Sequence, residues 1–178
     1  MTIPGDEADA CHSTAEPFSP PGERSRRPPL AITGAPEPMD VARLRWQWAR
    51  ESDPGIGLWS HDHGFIASVE QWASQAHRTV WTAGFAGHAV GMVCMTEHSR
   101  MPSPRAAAAG RWGYLGHLYV DPGHRGHGIA TTLVEHVLHA ADRRGYSKVI
   151  LSPTERSIAV YERCGFSRRN DLMIRRRA

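Results

Sequence analysis

The 178-residue sequence has only three cysteines, Cys11, Cys94 and Cys164, an odd number without CxxC spacing. That excludes the paired framework of a small secreted protein and makes a reducing cytoplasm the expected compartment. Long apolar runs are also missing. Nothing approaches the roughly 18 residues of a membrane-spanning helix, so no membrane role is expected. Residues Met1 to Ala10 lack the basic start and apolar centre of a secretory signal, and export is not expected. Charge of one sign is scarce too, at a formal net +3. Arginines cluster at Arg24, Arg26 and Arg27 and at Arg175, Arg176 and Arg177, near the two ends rather than along one folded face. Nucleic acid binding is therefore the lesser reading. Residues 1–28 hold Pro17, Pro20, Pro21 and Pro28 with Phe18 as the single aromatic, too little apolar surface to offset ordering. We expect a disordered tail there and one domain over residues 29–178.

Within that domain, Leu30 to Ile32 is a short strand candidate, and Asp40 is placed to cap a helix carrying Val41, Leu44 and Trp48 at helical spacing. Asp53-Pro54-Gly55 ends it. The stretch from Gly55 to Gly64, with Leu58, Trp59, His61 and His63, reads as a loop whose composition suits a substrate pocket, and a second helix is expected over Ile66 to Ala76. Thr79–Ala86 and Ala89–Met95 form a predicted hairpin turning at Gly87-His88. Ser99 to Gly110 reads as a loop and Trp112 to Val120 as a strand. Ile129, Leu133, Val137 and Leu138, with Val134 and Ala141, give one apolar helical face that stops before Gly145. Lys148 to Leu151 is a short strand, a helix carries Ser157, Ile158 and Tyr161, and a last strand is expected from Phe166. A strand, crossover helix and strand between Trp112 and Leu151 imply an α/β sheet with at least one parallel pair.

The turn between the Trp112 strand and the amphipathic helix is Arg125-Gly126-His127-Gly128-Ile129-Ala130. A strand entering glycines and then a helix leaves unpaired N–H groups at the positive helix end, where an anion is the natural guest. Gly126 and Gly128 permit close approach, and Arg125 is placed to add a charge-assisted bond to phosphate. His124 and His127 add to this if protonated. Ile129-Ala130 follows where a P-loop needs Lys and then Ser or Thr. Thr131 stands where the dinucleotide fingerprint needs its third glycine, so neither nucleotide motif is met.

Arg125-x-x-Gly128-x-Ala130 resembles the phosphate-binding signature of the GNAT acetyltransferase superfamily. Leu118-Tyr119-Val120-Asp121-Pro122 is similar to that family's fourth strand and its exit, and Tyr161-Glu162-Arg163-Cys164-Gly165-Phe166 to its Tyr-x-x-x-Gly-Phe element. The resemblance covers Trp112 to Phe166 in detail. It implies a mixed, mostly antiparallel sheet flanked by helices, and an acetyl-coenzyme A-dependent N-acetyltransferase. By the same resemblance Leu118, Tyr119 and Val120 would bind the pantetheine and acetyl carbonyl, and Arg125, Gly126, His127, Gly128, Ile129 and Ala130 the pyrophosphate. Thr154 would touch the cofactor where many relatives carry Asn, and Tyr161 would lie beside its sulfur as general acid.

Transfer to an amine needs the neutral nucleophile, and a lysine-like amine of pKa about 10.4 resists this by about 4.6 kcal/mol at pH 7. Some relatives place a Glu on the fourth strand as base; Trp112 to Val120 has none. His117 is the one group there that titrates near neutrality. Strict alternation turns it away from Tyr114, Leu118 and Val120, a bulge would change its facing, and a packed histidine without a task is an equal reading. His61, Asp62 and His63 lack a further ligand cluster, so no metal is expected. No base is identifiable beside Cys164, which reads as packing. The expected acceptor is a small-molecule or peptide amine held between the Trp59 loop, the Ser99 to Gly110 loop and the sheet. An acetyl-coenzyme A sensor without turnover is the main rival, and a homodimer is left open.

Overall fold

The computed structural model describes residues 28–104, 110–168 and 175. Residues 1–27 of the proline-rich tail and the arginines at 176 and 177 lie outside these residues, as does most of the strand expected from Phe166; Phe166 to Arg168 are irregular.

Five strands, β1 (Ala31–Thr33), β2 (Arg78–Phe85), β3 (His88–Ser99), β4 (Arg111–Val120) and β5 (Tyr146–Ile150), lie side by side in chain order. All neighbours are antiparallel except β4 and β5, whose parallel pairing is made by the crossover helix α3 (Ile129–Arg143). This is the mixed α/β sheet expected from the order of elements. On α3 the buried residues Ile129, Leu133, Val134, Val137, Ala140 and Ala141 form one stripe, packed on Val93, Met95 and Leu115 of the sheet. Helix α4 (Ile158–Arg163) joins that layer through Tyr161. The other face is covered by α1 (Pro38–Ser52) and α2 (His63–Ala73), with Val41 and Leu44 against Met92, Cys94 and Tyr119.

Several boundaries differ from those read from sequence, for local reasons. Helix α1 is capped at Glu37, not Asp40, because Pro38 has its φ preset for the first helical position. Asp40 falls in the first turn and pairs with Arg43 at 3.1 Å. Helix α2 starts three residues early because Asp62 accepts a hydrogen bond from the Phe65 N–H at 2.9 Å. The hairpin closes on Ala86-Gly87, since Phe85 pairs with His88.

Both central residues of that turn have positive φ, 48° at Ala86 and 82° at Gly87, the geometry that matches strand twist in two-residue hairpins. Alanine is strained there by its Cβ. Ala86→Gly is expected to stabilise the fold by about 1 kcal/mol, read as a higher urea midpoint at unchanged m-value.

Candidate active site

Pairing between β4 and β5 stops at Tyr114 and Ile150. From Leu115 to Val120 the β5-facing edge of β4 has no strand partner, and a cavity of about 840 Å³ opens between it, the start of α3, the α4 region and the end of α1. Leu118, Tyr119, Val120, Arg125, Gly126, Gly128, Ile129, Ala130, Thr154, Tyr161 and His117 all line it. All the sequence-predicted residues but His127 are thus gathered into the lining of one cleft.

Gly126 and Gly128 sit at φ 79° and 78°, and a Cβ at either would meet nothing within 4 Å. Glycine is required by the dihedral, and the space ahead of each is open. Gly128 is the N-cap of α3 and has no side chain to cap it. Among the described residues, the backbone N–H groups of Gly126 to Thr131 find no protein acceptor. Two left-handed glycines, free N–H groups and a positive helix end make an anion cradle beside an open strand edge.

The side chains around the cradle differ from expectation. Arg125 turns to Glu51 of α1, with Nη2 at 2.7 and 2.9 Å from its two carboxylate oxygens and Nε donating to the Val120 carbonyl at 2.8 Å. Tyr119 donates to the same carboxylate at 2.7 Å. Burial pushes the Glu51 carboxyl upward, but the hydrogen bonds from Arg125 and Tyr119 and the Arg125 charge outweigh it and hold the group below its usual range. Arg125 thus buttresses the turn through Nε and Nη2 while lining the cleft beside the free N–H groups. His127 donates from Nδ1 to the Arg125 carbonyl at 2.8 Å, and Thr154 shares its hydroxyl with Ser157 at 3.0 Å. Arg156 and Arg163, exposed on the cleft wall and in no ion pair among the described residues, are cations that sequence reasoning missed.

At the other end, β4 carries a bulge. Met92 pairs with Tyr119 and Cys94 with Gly116, so Val93 alone faces His117 and Leu118. His117 adopts φ 55° to make it. The bulge turns its ring toward α1 and α2, edge-on to Trp48 at 6.1 Å and Trp72 at 5.1 Å, while Leu118 and Val120 join the α3 core. His117 thus shares a face with Tyr114, whose ring lies near Gly116, instead of opposing it as strict alternation requires. Burial, followed by the charges of Arg45 and Arg78, holds the imidazole below its usual value while one edge stays open to the cleft.

Tyr161 packs against Phe166 with ring centroids 5.7 Å apart. Burial, then the neighbouring Tyr114 and Cys164, pushes its phenol up to about 12, so it stays protonated at neutral pH. Its hydroxyl has no hydrogen bond to a described residue. Burial also raises the Cys164 thiol, and its side chain packs on the α3 core, which argues against a thiolate nucleophile.

The Trp59 loop does not enter this cleft. Trp59 packs on Trp46 at 5.6 Å and lines a separate cavity of about 380 Å³ with His61, His88 and His124. Its aromatic composition reflects packing around Trp46, whose indole donates to the Gly57 carbonyl at 2.9 Å. Asp62 is a helix cap, and among the described residues no three potential ligands gather around a metal position.

The family profile described as "Acetyltransferase (GNAT) family" matches residues 40–166. The chain belongs to that family. This GNAT chain is 33% identical over 106 residues to the probable N-acetyltransferase family 8 member 5 of Mus musculus, covering 58% of the chain and 44% of that protein. It is 35% identical over 69 residues to glucosamine 6-phosphate N-acetyltransferase of Trypanosoma brucei brucei, covering 38% and 47%. It therefore spans less than half the length of these curated relatives. Among solved structures, a predicted acetyltransferase with acetyl-CoA from Clostridium acetobutylicum superposes with TM-score 0.63 at 19% identity, covering 83% of this chain and 96% of that one. Glucosamine-6-phosphate N-acetyltransferase from Arabidopsis thaliana gives TM-score 0.61 at 15% identity, covering 83% and 98%. These likenesses establish the GNAT fold. No helix among the described residues is long and apolar enough to cross a membrane.

Proposed function

We propose that this GNAT chain transfers an acetyl group from acetyl-coenzyme A directly to an amine of a small molecule or peptide. The observation that carries the reading is the continuous cleft: an uncapped glycine cradle at one end, an unpaired edge of β4 along its side, and Tyr161 and the His117 bulge beyond. The N–H groups of residues 126 to 131 would hold the pyrophosphate, Arg156 and Arg163 would lend charge, and the free edge of β4 would pair with the pantetheine amides as an added strand does. Thr154 would line the cofactor with its backbone, its hydroxyl being engaged.

Acetyl-coenzyme A supplies an activated thioester. The chain's part is to place the amine, take its proton and ease the departure of sulfur. The lowered pKa keeps His117 neutral at pH 7, free to accept the proton, directly or through one water. Tyr161, protonated, donates a hydrogen bond to the departing sulfur. The new N–C bond forms as the C–S bond breaks, the amine proton passes to His117 and on to solvent, and the sulfur leaves as a thiolate that keeps the Tyr161 hydrogen bond until solvent protonates it.

Release of free thiol from acetyl-coenzyme A across an amine panel tests the reading, and binding without any release would make the protein a sensor instead. The imidazole sets the acidic limb of activity. Because burial and the Arg45 and Arg78 charges lower its folded pKa, kcat/KM should rise with pH along an acidic limb whose midpoint lies below that of a free imidazole. His117→Gln should lose that limb and fall by about 100-fold at neutral pH, as a pH–rate profile would show.

A further inference from the structure

Beside the Trp48 and Trp72 rings that meet His117, and outside the lining of the main cleft, stand two cations. On α1, the Arg45 guanidinium lies over the Trp48 ring at 5.1 Å from its centre. At the start of β2, the Arg78 guanidinium lies over Trp72 at 4.4 Å. Both indoles stand edge-on to His117, so the two cations flank the imidazole from two elements.

Neither arginine makes an ion pair among the described residues. Arg45 is exposed, and no hydrogen bond from it to a described residue is found. Arg78 donates Nη1 to the Trp72 carbonyl at 2.8 Å, while its Nε is buried without an acceptor. Glu70, which shares a neighbouring cavity with Arg78, is not paired with it, and Glu51 is held by Arg125 and Tyr119. A buried guanidinium donor left unpaired is costly, and stacking on the Trp72 ring fixes the plane of the group. The arrangement suits an anion.

It also repels an ammonium. An amine with no other charge would approach His117 between two guanidinium groups, whereas one bearing an acidic group brings its own compensation. We propose that the acceptor is an amine that also carries a carboxylate or a phosphate, held by Arg45 and Arg78 beside His117. The inference rests on the transferase reading above and names the substrate class for the same site.

The test is a set of matched acceptors in the thiol-release assay with the full chain: leucine against leucinamide, phosphoethanolamine against ethanolamine, and putrescine as a dication. Wild-type protein should favour the acidic member of at least one pair by about tenfold or more in kcat/KM, the size of one charge-assisted hydrogen bond, and the pair that shows it separates carboxylate from phosphate. Arg45→Glu should reduce that ratio by at least about tenfold, and Arg45→Lys should retain most of it; acetyl-coenzyme A affinity and circular dichroism report that each variant is folded. Thiol release with equal use of acidic and neutral amines, or a preference for putrescine, would overturn the substrate class and leave the transferase reading standing. Bound cofactor with no release for any acceptor would remove both.

Discussion

Tyr161→Phe is expected to lower kcat by about 100-fold while leaving the affinity for acetyl-coenzyme A unchanged. The substitution removes one hydroxyl from a ring that stays packed between Phe166 and the α3 core. Because that hydroxyl bonds to no described residue, its loss leaves no protein group unsatisfied and the fold should hold. The effect should then appear in chemistry alone. A phenol held near 12 is a poor proton source for full early transfer but an effective hydrogen-bond donor to a departing sulfur. A more acidic leaving thiol should therefore need it less, and the ratio of wild-type to Tyr161→Phe rates should shrink with such a donor. Unchanged kcat across both donors would remove Tyr161 from the mechanism.

The second large effect is expected at the cradle. Gly128→Val should weaken acetyl-coenzyme A binding by at least about 100-fold, the loss of one or two charge-assisted hydrogen bonds. Two things act together: a branched side chain fills the open space ahead of the turn, and φ 78° is unfavourable for valine. Gly87→Val separates them. Gly87 has φ 82° and equally open surroundings but lies in the β2–β3 turn, away from the cleft. Both variants should lose about 1–2 kcal/mol of stability, and Gly128→Val alone should lose the cofactor, as calorimetric titration would show. A folded Gly128→Val protein of wild-type affinity would mean that the anion sits elsewhere.

What was legible in the sequence is what depends on short-range pattern. Helix α3 announced itself because Ile129, Leu133, Val137 and Ala141 recur four residues apart on a chain that also needs polar exposure. The cradle was legible because only glycine suits φ near 78°, and the parallel β4–β5 pair followed from a helix between two strands. The β4 bulge left no such trace. Tyr114-Leu115-Gly116-His117-Leu118-Tyr119-Val120 is apolar or small on both faces but for one histidine, so a slip of one residue changes no visible alternation. Glu51 was invisible for another reason: it meets Arg125 across 74 residues, and only the folded chain brings them together. The Trp59 loop packs on Trp46 and lines a cavity of its own with His61, a placement beside α1 that composition alone did not specify.

Ala86 and His117 have the same backbone handedness, at φ 48° and 55°, and the same conformational penalty. Selection can treat them very differently. At position 86 a glycine would lift the penalty at a turn that lies away from the cleft. At position 117 the relaxing residue has no imidazole, so if His117 is the base we propose, a gain in thermal robustness there would be taken from turnover.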